Sequence, residues 1–515
     1  MPNDARPMLA AFAGGVASMG LEIVAARVIH PVYGSSVYVW GSILTVFMLA
    51  LSTGYYVGGR RAARDASRRR LAQFLLLSAL LTGGALVARE YVLGFGLELP
   101  VARRYQSLLP ILVLFGPAAA VIGFVSPYAA ELSENVEGTG DAAGQAYAAG
   151  TIGSIVGAVL TTFAVIPYGS VFVATVAFVL VLVLGGGIVT PRQTRDTAVA
   201  MAIVVIIVAP LTLAGAASGD VVYETDTAYH HLTIEDRDDV RYMFLNGQPN
   251  AATYLDGRQR YVFDYQPVLH TPVLYHSGDP DAIDRVLVIG GGGGGVSTRY
   301  AEEYGATVDV AEIDPEVERV AREYFDVSHP RVRWHVTDGR RYLRETDHTY
   351  DVIVVDAFRK TGVPYHLLTA EFHAIAADRL RPDGTITYNL ITPYEGGGSD
   401  FWRTETRTLR TAFDTVDVYP TAPRRSRRVQ NVILTAHDGP PVDAATITAR
   451  ADRPAVGVPR ERLQVDARVP NVDPTDVPVF RDGRGGATRY LQQFADEEYL
   501  VLTTTENASA TPAAP

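Results

Sequence analysis

Three carboxylates, Glu312, Asp338 and Asp356, each close a short apolar run, and six consecutive glycines at 290–295 close a fourth. Runs of this kind, rich in β-branched residues, predict buried strands. Glycines at a strand end let backbone approach a ligand and offer amide donors at a helix start. An acidic residue about twenty positions further on can grip ribose hydroxyls. A second carboxylate, in Asp338-Gly339, can meet a base. A third, Asp356, can attract a cationic amine and accept its proton. The pattern predicts a nucleoside site with a reactive group nearby. A dinucleotide is the rival reading, but it explains Asp338-Gly339 and Asp356 less well. The chain has no Gly-rich loop ending in GK[ST], which argues against a phosphate-gripping NTPase.

The elements that must hold these residues alternate. "RVLVIG", "TVDVAEID", "VRWHVTDG", "YDVIVVDAF" and "TITYNLI" read as strands. Between them "VSTRYAEEYG", "PEVERVAREYF" and "AEFHAIAADRLRPDG" read as helices, the last with a Pro-Asp-Gly turn. Such alternation predicts a parallel sheet with helices on both faces and ligands beyond the carboxyl ends of the strands. "RRSRRVQNVILTA" reads as a loop feeding an edge strand.

The 515 residues exceed one ordinary domain. There are 13 basic and 10 acidic residues before position 218, and 32 against 46 from there on. The first part therefore carries about +3 and the second about −14, which argues against nucleic acid as a partner. With no cysteine, disulfides, thiolate zinc sites and cysteine nucleophiles are excluded. Lys360 is the single lysine. Abundant Asp with almost no Lys resembles the composition of salt-loving organisms such as halophilic archaea.

Before residue 218 the chain is a series of apolar runs long enough to cross a bilayer, at about 8–29, 37–58, 71–90, 107–127, 145–167, 169–189 and 198–217. They predict a multi-pass protein of the cell membrane. Gly150, Gly153 and Gly157 have the spacing of close helix packing. Glu22, near Arg27, is a carboxylate inside the first run, either functional or paired locally. The basic stretch Arg60 to Arg70 should be cytoplasmic. It resembles the loop between the second and third spans of major facilitator transporters. Seven spans would then leave the second half outside, although its nucleoside is made in the cytoplasm, where the catalytic part is expected. The final "TTTENASATPAAP" reads as disordered. Its Asn507 sequon is a topology probe.

From about Tyr223 to Leu390 the chain resembles the spermidine synthase (polyamine aminopropyltransferase) family, in the branch that carries a fused membrane domain. "VLVIGGGGGGV", "AEIDPEV", "VTDGRRYL" and "YDVIVVDAF" carry the resemblance, with "YETDTAYHHLTI", "MFLNGQPN" and "FDYQPVL" upstream. It implies an α-helical membrane bundle (1–217), a small N-terminal β-domain (218–275) and an α/β Rossmann-like domain of class I methyltransferase type (276–445). A C-terminal extension (446–515) follows. The donor would be decarboxylated S-adenosylmethionine, or S-adenosylmethionine, with no metal. Gly290, Gly291 and Gly292 would cradle it, Glu312 would hold its ribose, and Asp338 and Gly339 its adenine. His230 stands where the family often has a donor-binding Gln. Asp356 would be the catalytic base, and Tyr265 would line the substrate cleft. The partners would be the lipid bilayer, an amine and a second copy in a homodimer.

Two positions depart from the family. Gly293 stands where an Asp usually meets the amino group of the donor's transferable chain. Arg359, with Lys360 beside it, stands where a second Asp helps hold the polyamine. Simple Coulomb repulsion would weaken a di- or polycation there. His366, in "PYHLLT", is either a substrate-site residue or a structural donor. The alternatives to amine alkylation are an S-adenosylmethionine-dependent transferase with a non-polyamine or membrane-borne acceptor, and a transporter or sensor regulated by its nucleoside domain.

Overall fold

The computed structural model describes residues 5–33, 37–97, 101, 103–137, 139–166, 171–190, 221–256, 261–276, 283–358, 363–422, 428–484, 490 and 499. It divides into two compact units, Met1–Thr233 with Leu245–Gly247, and Ile234–Phe244 with Gln248–Pro515.

Among the described residues of the first unit, five helices are long and apolar enough to cross a membrane: Arg6–His30, Tyr38–Asp65, Arg68–Arg89, Gly140–Val165 and Val171–Val189. The expected spans 8–29, 37–58, 71–90, 145–167 and 169–189 fall on them. The expected span 107–127 falls on two shorter helical stretches, Leu108–Leu114 and Gly116–Ser133, bent by 50°. The bend lies at Phe115, just before Gly116-Pro117. Proline has no N–H to give and its ring crowds the preceding turn, so a straight helix cannot run through it. The expected span 198–217 lies outside the described residues.

The glycine spacing acts as a packing seam between helices Arg6–Tyr33 and Thr139–Leu160. A Cβ on Gly153 would lie 2.2 Å from the Phe12 carbonyl oxygen, and one on Gly157 2.3 Å from that of Val16. From the other side, a Cβ on Gly15 would lie 2.0 Å from the Gly150 oxygen. Glu22 is half-buried on the first of these helices. The basic stretch turns tightly at Ala66-Ser67, where Asp65 pairs with Arg70 and accepts from the Tyr128 hydroxyl at 3.1 Å.

A four-stranded sheet follows, in order β1 (Val221–Asp226), β2 (His231–Arg237), β3 (Val240–Leu245), β4 (Gln248–Tyr254); the division between the units passes through it. Asp226 ends β1. Its Oδ2 accepts from the Val171 N–H at 2.8 Å, at the start of the helix Val171–Val189, and its Oδ1 meets His231 Nδ1 at 2.8 Å. Glu224 Oε1 stands 3.3 Å from His231 Nε2. Burial disfavours the charged imidazole. Hydrogen bonds to Asp226 and Glu224 override that and push it up to about 9.

The second unit is built on a seven-stranded sheet of order β10-β11-β9-β8-β5-β6-β7. Strands β5 (Arg285–Ile289), β6 (Thr307–Glu312), β7 (Val332–Val336), β8 (Tyr350–Val355) and β9 (Leu380–Pro393) are parallel. This is the class I methyltransferase-type arrangement. The chain order reverses at β5, which pairs with β6 on one side and β8 on the other, so ligands are expected beyond these strand ends. Strands β5 and β8 are apolar along nearly their whole length because helices cover both faces.

Two features differ from the strand reading. The sheet is mixed, because β11 (Val429–His437) pairs antiparallel with both β9 and β10 (Thr415–Pro420). "VQNVILTA" is thus an inner strand, buried at every residue, rather than an edge. And β9 begins at Leu380, so the Pro-Asp-Gly segment lies within it, with Asp383 at φ 66° and a register irregularity against β8.

Candidate active site

The glycine loop leaves β5 at Gly290, whose φ is +92°. A Cβ there would lie 2.5 Å from the Asp356 carbonyl oxygen, so only glycine lets the ends of β5 and β8 meet this closely. The loop feeds the helix Gly295–Tyr304 through Gly294. Glu312, at the end of β6, is buried, and both of its oxygens are used. Oε2 accepts from the Gly291 N–H at 2.8 Å and Oε1 from the Asp314 N–H at 2.9 Å. Burial nevertheless raises its carboxyl above the ordinary value, the backbone amides opposing.

Asp338 caps the helix Gly339–Glu345. Its Oδ1 accepts from the Arg341 N–H at 2.9 Å, and its Oδ2 meets His366 Nε2 at 2.6 Å. That hydrogen bond, more than any other influence, holds the Asp338 carboxyl below its ordinary value. His366 comes from the short 3-10 turn Tyr365–Leu367 after β8. The pair lines an open cleft with Arg340 and Asp482, themselves joined by two hydrogen bonds of 2.8 and 2.6 Å.

Asp356, one residue beyond β8, is half-buried at a second cavity that encloses about 550 Å³ with its open mouth included. Tyr265, Gly292, Phe263, Phe358 and Ile391 share its walls. Desolvation there pushes the Asp356 carboxyl up to about 7, against a hydrogen bond from Asn389 Nδ2 to Oδ1 of 2.7 Å. Behind Asn389 runs a chain of neutral groups. Asn431 Nδ2 donates to Asn389 Oδ1 at 2.8 Å, and the Tyr499 hydroxyl donates to Asn431 Oδ1 at 2.9 Å. Burial and the Asp356 charge both drive the Tyr265 phenol up, so it stays protonated.

Of the residues singled out from sequence, Tyr265, Gly292 and Asp356 line one cavity, and Glu312 grips the loop beside it. Asp338 and Gly339 stand at the end of β7. His230 belongs to the first unit, in the turn between β1 and β2, where its N–H donates to Thr227 Oγ1 at 2.9 Å. Arg359, Lys360 and Asn507 lie outside the described residues. The amide chain of Asn389, Asn431 and Tyr499 was not anticipated. Its signal was an Asn inside each of two strand-like runs, "TITYNLI" and "VQNVILTA". Gly293 carries a further finding. A Cβ on it would lie 2.7 Å from the Ala251 Cβ and 3.1 Å from the Phe325 ring, so the place of a side chain is already filled.

The family described as "Spermine/spermidine synthase domain" matches residues 263–397. The polyamine aminopropyltransferase of Streptococcus pneumoniae serotype 4 is 33% identical over 167 residues, which are 30% of this chain and 56% of that protein. That of Lachnospira eligens is 32% identical over 193 residues, 36% of this chain and 65% of that protein. The chain thus spans less than two thirds of the length of these curated relatives. A probable spermidine synthase structure from Corynebacterium glutamicum is 24% identical, covering 52% of this chain and 96% of that one with a TM-score of 0.42. The match to the spermine/spermidine synthase domain thus falls on residues 263–397, after the apolar helices.

Proposed function

We propose that this protein is a membrane-anchored transferase that moves an alkyl group of aminopropyl type from an S-adenosyl nucleoside to an amine. Gly290, Gly291 and Gly292 cradle the nucleoside, Glu312 holds its ribose, and Asp338 and Gly339 meet its adenine. Asp356 is the base, and Tyr265 and Arg359 belong to the substrate cleft. The amine lone pair forms the new N–C bond while the C–S bond breaks. Its electron pair goes to sulfur, leaving a neutral thioether nucleoside, and the N–H proton passes to Asp356. Most of the rate comes from holding nitrogen and carbon in line.

The observation that carries this reading is the Asp356 carboxyl, enclosed beside Tyr265 and pushed up to about 7. A base with that value is half ionised at neutral pH and still basic enough to take a proton. The donor is decarboxylated S-adenosylmethionine. A second reading, with S-adenosylmethionine as donor and a non-polyamine acceptor, has its own support at Gly293. No acid stands there to meet the chain amino group or to repel an α-carboxylate. The catalytic part faces the cytoplasm, where the nucleoside is made.

The test is calorimetry on the full chain in nanodiscs with methylthioadenosine, S-adenosylmethionine and its decarboxylated form. At least one is expected to bind at micromolar concentration. Silence from all three ends the nucleoside reading.

A further inference from the structure

Resting on the reading above, we propose that the acceptor is a primary monoamine with an uncharged tail rather than a diamine. Asp356 is the one acidic residue among the described residues that line its cavity. Strand β9 gives one place on the cavity wall within reach of a second positive charge. Asn389 touches Asp356 at 2.7 Å, and Ile391, two residues further on, faces the same cavity. Two residues along a strand keep to one face and advance roughly 6–7 Å. That is the scale of the gap between the two nitrogens of a four-carbon diamine. The described walls carry no second charge: Ile391, Phe358 and Phe263 are hydrocarbon, and Gln248, Asn250 and Tyr499 are neutral.

The amides do not supply the missing charge. Asn389 spends its N–H on Asp356 and its carbonyl on Asn431, whose own carbonyl is taken by Tyr499. Position 293 has no room for an acid, because Ala251 already occupies the space. A second ammonium would lose its water without gaining a counter-charge. An alkyl tail would gain apolar contact instead.

The experiment uses the full chain in nanodiscs, with each of the two donors, and compares butylamine with 1,4-diaminobutane. They share a carbon chain and differ in the terminal ammonium. The expected result is a kcat/KM at least tenfold higher for butylamine. Ile391→Asp, which adds the missing acid, is expected to move the ratio at least tenfold toward the diamine. Wild-type turnover of the diamine as well as or better than the monoamine overturns the proposal, whatever the variant does. Turnover of neither, with methylthioadenosine still binding in the calorimeter, also overturns it and leaves the nucleoside reading standing. Loss of methylthioadenosine binding strikes at that reading instead.

Discussion

Glu312 and Asp356 end strands on either side of β5, and burial raises both carboxyls, yet their surroundings differ in one respect. Glu312 has each oxygen held by a backbone N–H. Asp356 has one oxygen held by a side-chain amide and borders an open cavity. A carboxylate held at both oxygens is fixed in place and shapes the glycine loop, and each oxygen keeps a lone pair for a ligand hydroxyl. A carboxylate with a spare oxygen in a desolvated cleft can exchange a proton. Burial alone does not separate a holder from a base. The count of hydrogen-bond donors does.

The contrast is most severely tested at Asp356. Asp356→Asn keeps the shape and removes the basicity, so turnover is expected to fall about 10²- to 10⁴-fold. Methylthioadenosine affinity, measured by calorimetry, should stay within a few-fold. Retained turnover would take the base role away from Asp356. Glu312→Gln is expected to act the other way round. A carboxamide has one carbonyl oxygen for two backbone donors, so either the Gly291 or the Asp314 N–H is orphaned, at a cost of about 1–3 kcal/mol. Nucleoside affinity and melting temperature should fall together, while the pH profile of the remaining activity keeps its midpoint.

The smallest effect sharpens the comparison most. The hydrogen bond from Asn389 is the one influence that pulls the Asp356 carboxyl down against desolvation. Wild-type kcat/KM should climb with pH below about 7 and level off above it, as the ionised base accumulates. Asn389→Ala should move that midpoint upward, by about one pH unit or less, since one unit is worth about 1.4 kcal/mol. The linked stability has the opposite slope. A carboxyl raised in the folded state favours folding at low pH, and this contribution is lost as pH rises toward 7. A midpoint that stays put in Asn389→Ala would show that the amide does not tune the base.

The donor-side residues were legible because each is local to its own strand. A short β-branched run predicts a buried strand, and the next polar residue must lie at its carboxyl end. Gly290, Glu312, Asp338 and Asp356 all stand within two residues of such an end. The amide chain obeys no local rule. Asn389 and Asn431 meet because β11 lies antiparallel between β9 and β10, and Tyr499 arrives from a distant segment. Reading β11 only as a strand left its neighbour and register open, and the Asn389–Asn431 contact depends on both. The Ala251 methyl group beside Gly293 was equally hidden. Sequence reports a missing carboxylate, but only packing reports that its place has been taken. In the apolar part, composition gives length and hydropathy, and the bend before Gly116-Pro117 needed the backbone itself.

The seam between helices Arg6–Tyr33 and Thr139–Leu160 bears on movement. Helices that rub side chain on side chain can slip, because rotamers yield and ridges hop between grooves. Here carbonyl oxygens occupy the volume that Cβ atoms would otherwise fill, at Gly15, Gly153 and Gly157 alike. Backbone cannot step aside, so turning or sliding either helix drives one main chain into the other. The two helices form a single stiff member. Any sliding within this unit would have to be taken up between other helices.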